Sequence, residues 1–120
     1  MSAQATEIKL HQGSRLLEIT FSDELCYQLP YEYLRVYSPS ADVSGHTPEE
    51  AVLQVGKQNV GVREVIPVGS YAMQINFDDG HDTGLYTWEY LYHLGKNQST
   101  LWQDYLARME AAHASRVAKK

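Results

Sequence analysis

The chain has 120 residues and a mass of 13.6 kDa, with 43% hydrophobic and 21% charged residues. This is the size and composition of one domain that can bury a core of its own, and it excludes an intrinsically disordered chain. A net charge of −5 does not suit a phosphate-binding surface, so nucleic acid is not an expected partner.

The first elements read as strands. Glu7 to His11 alternates polar with apolar or aromatic residues, Gly13-Ser14 marks a turn, and Leu16 to Phe21 places Leu17, Ile19 and Phe21 on one face. The pair predicts a β-hairpin. Ser22-Asp23-Glu24 is a second turn before a short strand from Cys26 to Leu29. Pro30 suits the first turn of a helix, which predicts a short one over Tyr31 to Val36 with Leu34 inward. Residues 38–48 read as a loop, and Thr47-Pro48-Glu49-Glu50 as the capped start of a brief helix stopped by Gly56.

Val60 to Val68 is β-branched and reads as a strand. Gly69-Ser70 turns the chain into a second strand with Tyr71, Met73, Ile75 and Phe77 on one face, and Asp78-Asp79-Gly80 is a further turn. Thr87 predicts an N-cap for a helix over Trp88 to Leu94, ended by Gly95 at its C-terminal cap. Thr100 to Gln103 has the pattern of another helix start. From it Trp102, Leu106, Met109 and His113, with Leu101 and Tyr105 beside them, form the stripe of an amphipathic helix. The fold class is α+β: small antiparallel β-hairpins with short helices packed on one face and a C-terminal amphipathic helix.

The charge is uneven. Arg108, Arg116, Lys119 and Lys120 against Glu110 put +3 on the last thirteen residues, so the remainder carries −8. The expectation for this tail is a solvated, fraying end. A single cysteine makes no intrachain disulfide, no basic stretch followed by an apolar one marks a secretory leader, and no run of residues is long and apolar enough to span a membrane. A reducing, cytoplasmic location is the expectation.

No complete catalytic set stands out. None of the five histidines, His11, His46, His81, His93 and His113, is followed two residues later by a carboxylate, as the common non-haem iron arrangement requires. Cys26, in a predicted strand between Leu25 and Tyr27, reads as a small buried hydrophobe. The serines lie outside any nucleophile elbow, and Gly56-Lys57 lacks the rest of a phosphate loop. The densest polar run is Asp78-Asp79-Gly80-His81-Asp82-Thr83-Gly84. Asp78, Asp79, His81 and Asp82 could hold a zinc or iron ion. They could equally form a polar turn whose carboxylates accept from the backbone. His81 with Asp82 could also serve as a proton-transfer pair. Nine tyrosines are unusual, and Tyr86, Trp88, Tyr90 and Tyr92 gather the type of side chain that protein interfaces favour. Tyr90 and Tyr92 cannot both face one core from one helix, so at least one is expected at the surface.

Several of these runs resemble one family. Leu29-Pro30 with Leu34-Arg35, then Gly61 with Val65, Pro67-Val68-Gly69 and Tyr71, and above all Phe77 through Trp88 with Tyr90-Leu91, are similar to the gamma-butyrobetaine hydroxylase-like N-terminal domains. The resemblance spans roughly residues 8–95. It implies a small α+β domain over residues 1–96, followed by a C-terminal helix and basic tail over 97–120. Such domains occur alone in bacteria, ahead of a 2-oxoglutarate oxygenase domain, or fused to Mrp-type P-loop iron–sulfur carriers. The oxygenase version resembles a zinc-binding module with three cysteines and a histidine. Carried over, those cysteines fall on Ser38, Ser40 and Val43, and the histidine on His81. No cofactor is therefore expected, with zinc or iron the alternative. The function expected is a non-catalytic accessory or interaction module that binds a protein partner or itself. The alternatives are a metal-binding protein linked to iron–sulfur handling, or a small enzyme using His81 and Asp82.

Overall fold

The computed structural model describes residues 4–40, 43 and 52–117. Among them are six strands and three helices: β1 (Ala5–His11), β2 (Leu16–Phe21), β3 (Cys26–Pro30), α1 (Tyr31–Val36), β4 (Val62–Val68), β5 (Ala72–Phe77), β6 (Leu85–Thr87), α2 (Trp88–Lys96) and α3 (Gln98–Ala111). The strands make two antiparallel sheets, β1-β2-β3 and β4-β5-β6. The fold is α+β, as the sequence predicts. The expected helix start at Thr47 to Glu50, and His46, lie outside the described residues.

Alternation sets the inner faces. On β2, Leu17, Ile19 and Phe21 are buried, and on β5 so are Met73, Ile75 and Phe77. Both sheets press these residues into one core with Leu29, Tyr31, Tyr33 and Leu34 from β3 and α1, and with Leu91 and Leu94 from α2. Burying such side chains contributes about 1.5–3 kcal/mol each. A smaller cluster of Val36, Tyr105 and Met109 seats α3 against the end of α1. All six residues of α1 are buried, so this short helix is the hub between the sheets and the C-terminal region.

Several expectations need correction. Tyr71 is 53% exposed and Ala72 is buried, because Tyr71 belongs to the turn before β5 and not to its inner face. Strand β6, three residues long, is too short for alternation to reveal. Thr87 does cap α2, accepting from the Tyr90 N–H at 3.1 Å. Gly95 does not end that helix. It is buried inside it, and a Cβ there would stand 2.5 Å from the Tyr27 ring, so the glycine serves close packing of α2 on the first sheet. Helix α3 begins at Gln98 without a side-chain cap, which puts Thr100 inside it.

His113 does not extend the α3 stripe. It is exposed at φ 52, and the Ala114 N–H reaches back to the Met109 carbonyl, so His113 takes the left-handed closing position usually given to glycine. Cys26 is exposed rather than buried. The expected tail is tied down as far as Arg116, while Lys119 and Lys120 lie outside the described residues. Gly56 and Gln58 donate backbone bonds to the Ser115 and Arg116 carbonyls, and Arg116 grips Glu32 with bonds of 2.8 and 2.7 Å.

Candidate functional site

The polar residues converge where α1 meets the turn after β5. Arg35, in the last turn of α1, has a side chain only 8% exposed. A buried guanidinium requires a partner, and Arg35 has two: its Nε donates to Asp79 Oδ2 at 2.9 Å and its Nη1 to Gln54 Oε1 at 2.9 Å. Lys57 Nζ donates to the same Asp79 oxygen at 2.6 Å, and the His81 N–H to Asp79 Oδ1 at 3.1 Å. Burial alone would push the Asp79 carboxyl up. The Lys57 bond, the His81 amide and the Arg35 charge outweigh burial and hold it down at about 2. Asp79 is thus an ionised structural anchor tying together α1, the 54–57 segment and the 78–81 turn.

Asp78 turns elsewhere. Its Oδ1 accepts from the Gly61 N–H at 3.0 Å, and a Cβ on Gly61 would lie 2.6 Å from its other oxygen, so glycine is needed for that approach. Asp82 is exposed. His81 points its Nε2 to Ser38 Oγ at 2.8 Å. The four candidate ligands Asp78, Asp79, His81 and Asp82 are therefore spread over different partners. Among the described residues no three His, Cys, Asp or Glu side chains lie close enough to hold a metal ion. His81 also donates its backbone N–H to Asp79.

Beside this anchor lies a neutral cluster. Ser38 and Ser40 are 2% and 6% exposed. Ser40 donates its N–H to Ser38 Oγ at 3.2 Å, and its own hydroxyl lies 2.6 Å from Thr83 Oγ1. Val43, buried next to them, donates its N–H to the Ser40 carbonyl at 3.0 Å. The structure thus gathers the positions that the resemblance assigns to zinc ligands, but their chemistry does not fit the ion. Two neutral hydroxyls and an aliphatic side chain stand where a closed zinc site needs thiolate or imidazole donors.

The aromatic candidates separate. Tyr86 is fully buried, its hydroxyl donating to the Leu34 carbonyl at 2.6 Å and burial pushing its phenol well up. It can touch no partner. Trp88 is half-buried and donates its Nε1–H to the Ser70 carbonyl at 2.9 Å. Tyr90 and Tyr92 do leave α2 in different directions, but neither is exposed. Tyr90 donates to the Tyr37 carbonyl, and burial raises its phenol to about 12. Tyr92 packs edge-on against Phe21 at 5.0 Å and Tyr27 at 5.8 Å and donates to Asp23 at 2.7 Å, a bond that raises its phenol to about 12.

The open apolar side chains are others. Ile66 and Leu85 are 39% and 40% exposed, and both pair in register with Gln74, so they share the outer face of the second sheet. Tyr71 stands at the adjoining turn, its carbonyl accepting from the Trp88 N–H at 3.0 Å. Sequence reading missed Ile66 and Leu85 in this surface, and Arg35, Gln54 and Lys57 in the anchor. An apolar residue on the solvent side of a predicted strand was the available signal for Ile66. Nothing local marks the anchor.

The comparisons agree with this architecture. The model of the gamma-butyrobetaine hydroxylase-like N-terminal family matches residues 8–92. No curated protein matches the chain. Among solved structures, two solution NMR structures are 46% and 50% identical. Their TM-scores are 0.85 and 0.84, and the alignments cover 100% and 99% of this chain and 94% and 89% of theirs. A crystal structure of a protein of unknown function from Acidithiobacillus ferrooxidans, belonging to the DUF971 family, is 41% identical. It has a TM-score of 0.65, over 77% of this chain and 92% of that one. With a family match over most of its length and solved relatives of the same fold, the chain belongs to the gamma-butyrobetaine hydroxylase-like N-terminal family.

Proposed function

We propose that this protein is a non-catalytic accessory domain that docks a protein partner, or a second copy of itself, through the aromatic end of its second sheet. The observation that carries this reading is that Ile66 and Leu85 open from the outer face of the second sheet and Tyr71 from its adjoining turn, whose carbonyl meets the Trp88 N–H. Apolar side chains gathered on a small domain favour a contact surface. The residues with chemical potential are occupied in holding the fold: Asp79 by two cations and His81 by Ser38. The free thiol of Cys26 suits a reducing compartment, and the cytoplasm is the location we assign. No helix among the described residues is long and apolar enough to cross a membrane.

Tyr71→Asp and Leu85→Asp test the reading, because both side chains are exposed and their replacement leaves the core intact. Co-purification from the native host should lose its specific partner, or the self-associated form, in both variants while the thermal midpoint stays near that of the parent. Two folded variants that retain every partner and the same oligomeric state would end the proposal.

A further inference from the structure

We infer that a metal-independent hydroxyl–imidazole lock joins Ser38 and Ser40 to His81 and Thr83 in this chain, at the positions where the family resemblance places a zinc centre. Two hydrogen bonds bridge the segments: Ser38 Oγ with His81 Nε2 at 2.8 Å and Ser40 Oγ with Thr83 Oγ1 at 2.6 Å. A third, from the Ser40 N–H to Ser38 Oγ, holds the first segment in shape. These separations are those of direct hydrogen bonds. Donors sharing a tetrahedral zinc at about 2.0–2.1 Å would stand roughly 3.3 Å apart. The contact is also tight: a Cβ on Gly84 would stand 2.6 Å from Ser38 Oγ, so the glycine lets the second segment close directly onto the serine.

The substitution has a physical logic. A zinc cross-link requires deprotonated thiolates and makes the fold depend on the metal. Two buried hydroxyls paired across the same gap require neither, and the hydrogen bond each makes offsets the cost of taking it out of water. The lock sits beside the Arg35–Asp79 anchor, and His81 serves both, donating its N–H to Asp79 and pairing its ring with Ser38. This inference does not depend on the proposed partner surface, which lies on other residues.

The first arm of the test is metal analysis of protein purified without a polyhistidine tag, with thermal midpoints measured with and without EDTA. The inference expects far less than one metal per chain and equal midpoints. Stoichiometric zinc or iron whose removal lowers the midpoint would overturn it. The second arm is amide hydrogen exchange of Ser38→Ala. Exchange should quicken at residues 79–84, and the midpoint should fall by roughly 3–5 °C. Unchanged exchange there would show that the hydroxyl carries no cross-link. If Ser38→Ala does not fold, Thr83→Val, a near-isosteric change at an exposed residue, supplies the same readout. It should quicken exchange at residues 81–83, and unchanged protection would sink the lock.

Discussion

Helix α1 holds two distant segments by opposite charges, and the two grips differ. Near its start Glu32, 7% exposed, is held by Arg116 from the end of the chain, and Arg116 itself is 38% exposed and lies over the Trp102 ring. At its other end Arg35 is the buried partner, and its carboxylate, Asp79, also binds Lys57. The Asp79 grip lies inside the region that matches the family model, and Arg116 lies beyond it. The inner grip is a network of three charges, each side chain no more than 22% exposed, whereas the outer one is a single clamp whose arginine is 38% exposed. An inner network is costly to break because its surviving members stay buried, while an outer clamp can release one partner to solvent.

Asp79→Ala should show the larger effect. It strands Arg35, and we expect about 3 kcal/mol of lost stability in urea unfolding. A loss equal to that of the outer clamp would erase the distinction. Acid should weaken the inner grip specifically. The Asp79 carboxyl is held at about 2 against an ordinary 3.8. Its contribution is therefore complete above the ordinary value and disappears as the pH falls through about 2. Thermal midpoints of Asp79→Asn measured across that window should fall less steeply than those of the parent.

Glu32→Ala should cost about 1 kcal/mol, since the partner it leaves, Arg116, is 38% exposed and can turn to water. The signature is local: amide exchange should quicken at residues 56–58 and 112–117 and stay unchanged in β2 and β5. The smallest effect belongs to the helix end that delivers Arg116. His113→Gly relieves a left-handed residue and should stabilise the protein by about 0.5 kcal/mol, read from the same unfolding curves.

The sequence showed the strands and helices where periodicity was long enough to read. The inner faces of β2 and β5 follow from alternation, and the helix start at Thr87 from capping chemistry. What escaped was non-local. Ser38 and His81 are separated by 43 positions and Arg35 and Asp79 by 44, so nothing in either neighbourhood announces the pairing. Gly95 looked like a stop signal because helix ends favour glycine, yet the Tyr27 ring is what demands it. The carboxylates after β5 looked like a ligand set because they are adjacent in the chain. Folding turns Asp78 to the Gly61 amide and Asp79 to two cations. The tyrosines suggested an interface by composition alone, while the fold uses most of those singled out as internal hydrogen-bond donors.

That use of tyrosine has an optical consequence. Tyr33 donates to the Leu94 carbonyl, Tyr37 to that of Leu101, Tyr86 to that of Leu34, Tyr90 to that of Tyr37 and Tyr105 to that of Gln54. Each of these five contacts is thus fastened by a chromophore whose ultraviolet spectrum changes when its proton leaves. Burial raises all five phenols, Tyr90 and Tyr105 to about 12, so alkali strips these fasteners only as the pH climbs well past the ordinary 10. The domain therefore carries its own dye at these five seams, and single Tyr→Phe replacements would assign each step of the absorbance curve to the seam that opens.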